Sequence, residues 1–387
     1  MLTQPQKEWR ELPFSDCLQK VAVGREKQIQ EKDYLKFGEY PVVDQGQSFI
    51  AGYTDNKSKV ISDIQPFIIF GDHTRTLKYI DFPVVLGADG TKVIKPNNEF
   101  DTKFFFYTLK HIDVPSRGYN RHFTLLKEKN IALPSLAEQR AIAQTLTTMQ
   151  NAIAEQEKLI LKLKELKRTM MQHLFTHGTE DEKTKMTEVG EVPESWVIKK
   201  LGQLVDVSSG GTPSRKNSDY WTGGTIPWVK TTEIDYAPIS STEEKITEQG
   251  LKNSSAKLFP KGTLLMAMYG QGVTRGRVAM LNIKATTNQA CSAFLGDEET
   301  NKYLYYFLTH SYESIRQLGH GANQKNLNAS LIKAINIPVC DAREMKKIVS
   351  ALEATDTKTG VAEERLQSYK NLFKTLLHEL ISGERRV

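Results

Sequence analysis

One unit of sequence occurs twice in this chain, and it constrains the fold more than any other feature. In NIALPSLAEQRAIAQTL (130–146) and INIPVCDAREMKKIVSAL (335–352), a short apolar run ends in proline and an acidic residue follows, Glu138 or Glu344. Apolar residues then return at helical spacing. This pattern predicts a strand, a turn and a long helix. The chain therefore builds the same unit twice, the second time at its end.

Weaker matches extend the repeat along the whole chain. The corresponding pairs are Trp9 and Trp196, Gly71 and Gly270, Asn120 and Asn323, Pro134 and Pro338, and Leu146 and Leu352. Their offset grows in order from 187 to 206 residues, as expected if the second copy has gained loop insertions. The series indicates a tandem duplication of a globular domain followed by a long helix.

Both predicted helices carry a heptad seam, in which apolar residues alternate at spacings of four and three. The first seam contains Ile142, Leu146, Met149, Ile153, Ile160, Leu163, Met170 and Leu174, with Gln156 and Lys167 in its gaps. The second contains Ile348, Leu352, Ala362, Leu366, Tyr369, Phe373, Leu376 and Leu380, with Thr355 and Thr359 as weak positions.

Each seam could simply pack on its own globular domain, as most apolar stripes do. However, a helix over 142–174 is roughly 48 Å long, which exceeds the width of a small domain. We therefore expect the two helices to pair with each other, antiparallel. Further apolar residues outside the seams are expected to meet other subunits: Leu159, Leu161, Leu166, Leu372 and Leu377.

The predicted fold class is α+β, with two mixed α/β domains, two long antiparallel coiled-coil helices and a pseudo-twofold internal repeat. Alternating runs such as FPVVLGADGTKVIKP predict strands, and TKFFFYTLKHI and NKYLYYFLTHSYESIRQL predict helices. The predicted bounds are 1–134 for the first globular domain, 135–178 for the first helix, 179–193 for a polar linker, 194–337 for the second globular domain and 338–387 for the second helix.

Composition indicates the cellular compartment of this 387-residue chain and the partners its charge permits, but it does not indicate the function. The net charge of +6 is not concentrated in any tail, so it only permits a polyanionic partner. Three isolated cysteines form neither a disulfide framework nor a metal-ligand spacing. No apolar run is long enough for a signal peptide or a membrane span. We expect a cytoplasmic protein without a membrane association.

Polar, glycine-containing loops occur in both globular copies, for example DQGQ (44–47), GDHTRT (71–76), GGTPSRKN (210–217) and GQGVTRGR (270–277). Any one of them could be an ordinary loop. As two matched sets, they suggest DNA contacts, since arginine pairs with guanine and asparagine or glutamine with adenine. The candidate DNA-binding residues are Gln47, His73, Thr74, Arg75, Arg117, Asn120, Arg121, Arg215, Lys216, Lys230, Thr231, Gln271, Arg275, Arg277, Asn288 and Gln289.

The sequence offers no credible active site. GQGVTRG matches a loose dinucleotide-binding pattern, but the alternating RVAMLNI that follows favours a hairpin. LGADGTK lacks the P-loop spacing, and the chain has no Asn-Pro-Pro-aromatic tetrapeptide, the signature of amino-methylating DNA methyltransferases. His73 could act as a base, but it has no paired nucleophile in the sequence, so a binding or packing role is favoured. We predict no catalytic residues and no metal ligands.

Several segments resemble the specificity subunits of type I restriction-modification systems. LPFSDCLQKV…GEYPVVDQGQ…PFIIFGDHTRTLKYIDFPVVLGADGTKVIKP and VPESWVIKKLGQLVDVSSGGTPSRKNSDYWTGGTIPWVKTTEI…AMYGQGVTRGRVAML…TTNQAC are similar to that family's two target-recognition domains. LPSLAEQRAIAQTL with the helix after it resembles the central conserved region, and 338–387 resembles the distal one. The resemblance covers nearly the whole chain.

The resemblance implies a non-catalytic subunit of a restriction endonuclease and adenine-N6 methyltransferase complex. Each recognition domain would read one half of a split, asymmetric site in double-stranded DNA, and the helices would set the spacing. Two modification subunits would dock on the helices, and restriction subunits with a translocase and a nuclease would complete the assembly. The chain itself would need no cofactor, because S-adenosylmethionine, ATP and Mg²⁺ would belong to those partners.

Two other readings stay open. The chain could be a coiled-coil scaffold that does not bind DNA, or a self-sufficient DNA enzyme with an unfamiliar active centre.

Overall fold

A computed structural model describes residues 9–21, 23–88, 90–116, 118, 120–270, 273–318 and 326–387. Of the candidate DNA contacts, Arg117 and Gln271 lie outside the described residues. The same is true of Asn323, the repeat partner of Asn120.

The first globular domain contains strands β1 to β9 and helices α1 and α2. In chain order they are β1 (Arg10–Pro13), β2 (Gln28–Ile29), β3 (Tyr40–Val43), β4 (Gly52–Thr54), β5 (Phe67–Gly71), β6 (Leu77–Ile80), β7 (Val85–Gly87), β8 (Thr91–Ile94), α1 (Thr102–His111), α2 (Phe123–Lys127) and β9 (Asn130–Leu133). They form a mixed sheet in the order β2-β7-β3-β4, an antiparallel sheet in the order β6-β5-β8, and the pair β1-β9.

The first long helix, α3 (Leu136–His177), follows β9, and a short hairpin, β10 (Thr184–Thr187) and β11 (Gly190–Pro193), leads to the second globular domain. That domain contains β12 (Val197–Lys200), α4 (Leu201–Leu204), β13 (Asp206–Ser209), β14 (Ile226–Val229), β15 (Glu244–Ile246), α5 (Glu248–Lys252), β16 (Leu264–Ala267), β17 (Val278–Met280), β18 (Thr286–Thr287), β19 (Cys291–Leu295), α6 (Glu298–His310), α7 (Tyr312–Gln317), α8 (Ala329–Lys333) and β20 (Asn336–Val339). The second long helix, α9 (Ala342–Ser382), follows β20.

The repeat that the sequence suggests is present in the strand pairing. The entry strand of each domain pairs antiparallel with the strand before the long helix, as Leu12 opposite Ile131 in β1-β9 and Lys199 opposite Ile337 in β12-β20. In each mixed sheet one strand has an antiparallel and a parallel neighbour: β3 lies between β4 and β7, and β14 between β15 and β18.

The chain divides into two compact units, each with one globular domain and parts of both long helices: Met1–Lys158 with Glu364–Val387, and Leu159–Glu363. The bounds predicted from sequence follow the repeat rather than these contacts, and they stay predictions. In the first unit, Ile142 and Leu146 share an apolar core with Leu380 and the phenylalanines of α1. In the second unit, Phe175 shares a core with the residues of α6 and the start of α9.

The long helices are antiparallel in both units. In the second unit Lys164 pairs with Glu363 (Nζ–Oε1 2.7 Å) and Lys167 with Asp356 (Nζ–Oδ1 2.6 Å). The residue numbers of the partners on α9 therefore decrease as those on α3 increase, as in an antiparallel pair. In the first unit Glu157 pairs with Lys370 at 2.7 Å. The predicted fold class, two mixed α/β domains with antiparallel coiled-coil helices and an internal repeat, is confirmed.

Three details refine the sequence analysis. The polar segment 179–193 contains the hairpin β10-β11, whose Val192 is buried. The segment around 270–277 joins β16 to its antiparallel neighbour β17, which confirms the predicted hairpin. The prediction that Leu377 faces other subunits is wrong, because it packs against the first unit's core.

In the part of the chain described, no helix combines the length and the apolar character that crossing a membrane requires.

Candidate nucleic-acid interface

In the first globular domain, Asp72 joins three of the polar loops. Its backbone N–H donates to the carbonyl of Gly90 (2.7 Å), and its own carbonyl accepts the backbone N–H of His122 (2.9 Å). One carboxylate oxygen, Oδ1, accepts the N–H of Phe123 at 2.9 Å. Asp72 is 3% exposed and His122 is fully buried. The loop of Arg75 is therefore held beside the loop of Arg121.

The DQGQ loop joins the same cluster through Gln45. Its carbonyl accepts the hydroxyl of Thr74, and its side-chain Oε1 accepts the backbone N–H of His73 at 3.1 Å. Beneath the loop the Nζ of Lys78 donates to the carbonyl of Asp44 at 2.9 Å, although Lys78 is 3% exposed. Burial lowers the pKa of Lys78 despite the nearby Asp44 carboxylate.

The structure thus brings the described first-domain candidates onto one group of loops. Gln47, Asn120 and Arg121 are exposed there. Arg75 is also exposed, has a left-handed backbone (φ 62°) and donates from Nη1 to the carbonyl of Val114 at 2.9 Å. That bond ties the loop after β5 to the segment after α1.

A second group of loops forms in the second globular domain around β14 and β18. The N–H of Gly211 donates to Thr287 O (2.8 Å), and that of Asn288 donates to Val229 O (3.1 Å). A Cβ atom on Gly210 would lie 2.1 Å from Thr287 O, so only glycine allows this approach. Thr212 donates its hydroxyl to the side chain of Gln289. Loops 210–217, 230–233 and 286–290 are therefore neighbours.

Arg215 and Lys230, two of the candidates, are engaged by acidic and aromatic side chains in this group. The guanidinium carbon of Arg215 lies 3.6 Å from the ring centre of Trp221 and 4.8 Å from that of Trp228. Glu244 accepts from Arg215 and lies 3.3 Å from Lys230 Nζ, which also pairs with Glu243. The hydrogen bond that Lys230 donates to Glu243 raises the pKa of Lys230, and the hydrogen bond that Glu244 accepts from Arg215 lowers the pKa of Glu244.

Of the remaining candidates of the second domain, Lys216 and Thr231 lie within these loops, whereas Arg275 and Arg277 lie on the loop after β16. Arg275 donates from Nη2 to the carbonyl of Arg316 at 2.9 Å, so it ties the loop after β16 to the end of α7. Arg75 likewise donates to a backbone carbonyl, that of Val114 in the segment after α1. Arg277 forms an ion pair with Asp235. Lys216 is exposed, and Thr231 starts a short 3-10 turn.

Several residues that organise these loops were missed from the sequence. They are Gln45, Asp72, Lys78, His122, Trp221, Trp228, Glu243 and Glu244. Their contacts span long stretches of chain, such as the fifty residues between Asp72 and His122. The adjacent glutamates of SSTEE (240–244) are visible in the sequence. The sequence does not indicate, however, that they pair with Arg215 and Lys230.

Within the described ranges, no group of three or more His, Cys, Asp or Glu side chains could hold a metal ion. Burial raises the pKa of the Cys17 thiol to about 12, so this cysteine is a poor nucleophile. The arrangement offers hydrogen-bond donors and positive charges on loops, which suits binding of a polyanion.

Comparison with known proteins identifies the family of this arrangement. The family model described as the type I restriction modification DNA specificity domain matches twice, over residues 6–165 and 193–370. The chain belongs to this family. The two matches together cover most of the chain and reproduce the internal repeat.

Its relatives are type I specificity subunits, the DNA-recognising rather than the catalytic subunits of these enzymes. The MjaIX specificity subunit of Methanocaldococcus jannaschii is 34% identical over 178 residues, which span 44% of this chain and 40% of that protein. The EcoR124I/EcoR124II specificity subunit of Escherichia coli is 26% identical over 87% of this chain and 84% of its own length.

Solved structures show the same fold. A type I S subunit from M. genitalium is 17% identical, covers 98% of each chain and has a TM-score of 0.66. A chain from a study of complex assembly and conformational transition in the type I restriction-modification system is 16% identical, with a TM-score of 0.55. It covers 97% of this chain and 99% of that one.

Proposed function

We propose that each globular domain of this DNA-recognition subunit reads one half of an asymmetric, bipartite site in double-stranded DNA. The observation that carries the proposal is the presence of one cluster of polar loops in each copy. The clusters differ in their side chains, because Arg75 and Arg121 stand in the first and Arg215, Lys230 and Arg277 in the second. Different donors present different patterns to base edges, so the two half-sites should differ.

The long helices set the unread spacer between the half-sites. Each of the two helices contributes residues to both compact units, so a change in helix length is expected to change the spacer. The cross-helix ion pairs of Lys164 and Lys167 support a fixed register in the second unit, as Glu157 with Lys370 does in the first. An element that sets the length of the DNA spacer must itself have a fixed length, and a fixed helix register provides it.

Modification subunits dock on these helices, one for each copy of the repeat. The helices expose apolar side chains outside their seam: Leu159 at 43%, Leu161 at 70%, Leu166 at 50% and Leu372 at 46%. Leu159 and Leu166 stand one heptad apart on the same face of the first long helix, and a shared apolar face of this kind favours a protein partner. The partners would supply S-adenosylmethionine, ATP and Mg²⁺, and restriction subunits would complete a cytoplasmic assembly.

The salt dependence of DNA binding tests this function against a scaffold role. The chain, assembled with its modification subunits, should bind duplex DNA with an affinity that falls steeply as salt rises, because phosphate contacts release counterions. A scaffold would show no such dependence. Methylation or cleavage of DNA by the purified chain alone would instead support the self-sufficient enzyme.

A further inference from the structure

Two of the cations that we assign to DNA contacts in the second domain are already occupied by carboxylates. Arg215 forms an ion pair with Glu244, and Lys230 with both Glu243 and Glu244. The first domain differs, since Arg75 is held by the carbonyl of Val114. The acidic residues therefore affect one half of the proposed DNA interface.

The positions of Glu243 and Glu244 are built into the fold. Glu244 opens strand β15 and stands opposite Trp228 of β14 in the sheet. The N–H of Glu243 donates to Oε1 of Glu233 at 2.9 Å, and the N–H of Lys230 donates to Oε2 of the same carboxylate at 2.7 Å. Glu233 thus links the backbones of the acidic and basic segments, so the ion pairs are not chance contacts of long side chains.

A carboxylate and a phosphate use the same donors of arginine and lysine. DNA phosphates must therefore compete with Glu243 and Glu244 for the donors of Arg215 and Lys230. The two acidic side chains are 70% and 30% exposed, so water screens the pairs and they can open. Opening leaves two carboxylates close to the DNA backbone, which is unfavourable unless other contacts compensate.

We propose that Glu243 and Glu244 are specificity-determining residues that suppress binding of the second domain to non-cognate DNA. On DNA of random sequence, Arg215 and Lys230 exchange a carboxylate partner for a phosphate, and this exchange brings little gain in binding free energy. On the cognate half-site, base contacts from the neighbouring loops supply the compensation, and the cations are released to the phosphates. This inference rests on the proposed function and assigns a role within it.

The test uses the full chain assembled with its modification subunits, and the double variant Glu243→Gln with Glu244→Gln. Glutamine keeps the shape of the side chain and removes its charge. The matched control is Glu180→Gln with Glu298→Gln, which removes two carboxylates from lysine pairs elsewhere in the same unit. Affinities are measured on a random-sequence duplex and on the chain's own methylated motif over a range of salt concentrations.

The test variant should bind the random duplex about three- to tenfold more tightly, with a salt slope steeper by about one to two. Methylation should become less selective only in the half read by the second domain, and the control should keep the original slope and motif. An unchanged slope overturns the inference. So does weaker binding to both duplexes, or a loss of cognate binding alone, which would make the carboxylates structural or base-reading groups. If the unaltered assembly itself shows no salt-dependent DNA binding, the proposed function fails. That outcome is seen without any variant, so it is distinguishable from failure of this inference.

Discussion

The indole N–H of Trp196 donates to the carboxylate of Glu344, with Nε1 and Oε2 2.9 Å apart. Trp9 makes the same bond to Glu138 at 3.2 Å. The tryptophan precedes the entry strand of each globular domain, and the glutamate lies in the first turn of the long helix that follows it. In both copies, the bond therefore fixes where the long helix leaves the domain.

Replacing Glu344 with alanine should lower the free energy of unfolding of the second unit by about 1–3 kcal/mol, because the buried indole N–H of Trp196 loses its acceptor. The backbone N–H of Thr179, which donates to the same side chain, also loses its acceptor. Urea unfolding followed by tryptophan fluorescence measures the loss. The control Glu353→Ala removes an exposed ion pair with Lys302 and should cost under about 1 kcal/mol. Equal costs for the two variants would contradict a special role of the bond.

Stability should fall as the pH drops below about 6.5. Burial lowers the pKa of His111 from its ordinary value of 6.5, and the nearby His378 ring lowers it further while Glu384 opposes. Burial also lowers the pKa of His310. With the folded pKa values depressed, the unfolded chain binds protons first as the pH falls, so the stability present above pH 6.5 is lost. The midpoint of urea unfolding should decrease on acidification, and His111→Gln should reduce the decrease. An unchanged midpoint from neutral to mildly acidic pH would contradict this.

Leu161 should be needed for assembly rather than for folding. It is 70% exposed on the first long helix, so Leu161→Lys should leave the thermal unfolding temperature nearly unchanged. The same change should abolish co-purification of the modification subunit. Met186 is 78% exposed on the hairpin, and Met186→Lys serves as the control. Normal assembly of the Leu161 variant would show that this part of the helix is not the docking surface.

The length of the two long helices should determine the length of the DNA spacer between the half-sites, so that the helices act as a molecular ruler. Two ion pairs, Glu157 with Lys370 and Lys164 with Glu363, stand seven residues apart on both helices. One heptad inserted between the pairs on each helix keeps the seam in register and adds about 10 Å. The spacer should then lengthen by about three base pairs, with unchanged half-site bases. Those base pairs also rotate the second half-site by roughly 100°, so binding should weaken. An active variant with an unaltered spacer would refute the ruler.

The periodic part of this structure was predictable from sequence, whereas the loops were not. Heptad spacing correctly predicts the fully buried Ile142, Leu146, Ile348 and Leu352, because helical periodicity directly reports which face is covered. Local turn chemistry likewise predicts the hairpin after β16. The partners of Asp72 and Glu244 depend on where distant strands meet, and no local pattern encodes that. For the same reason, Leu377 looked like a surface residue although it packs against the first unit's core.

The central claim is that the chain reads two different DNA half-sites with its two globular domains. Its most direct test is sequencing of methylated adenines in cells that carry the modification subunit, comparing no specificity chain, the unaltered chain and Arg75→Ala. The unaltered chain should create one motif with two specified halves and an unread spacer. Arg75→Ala should relax one half only, at a cost of about 1–3 kcal/mol for the affected base pair. A motif without a spacer, no motif that depends on the chain, or a change in both halves would contradict the account.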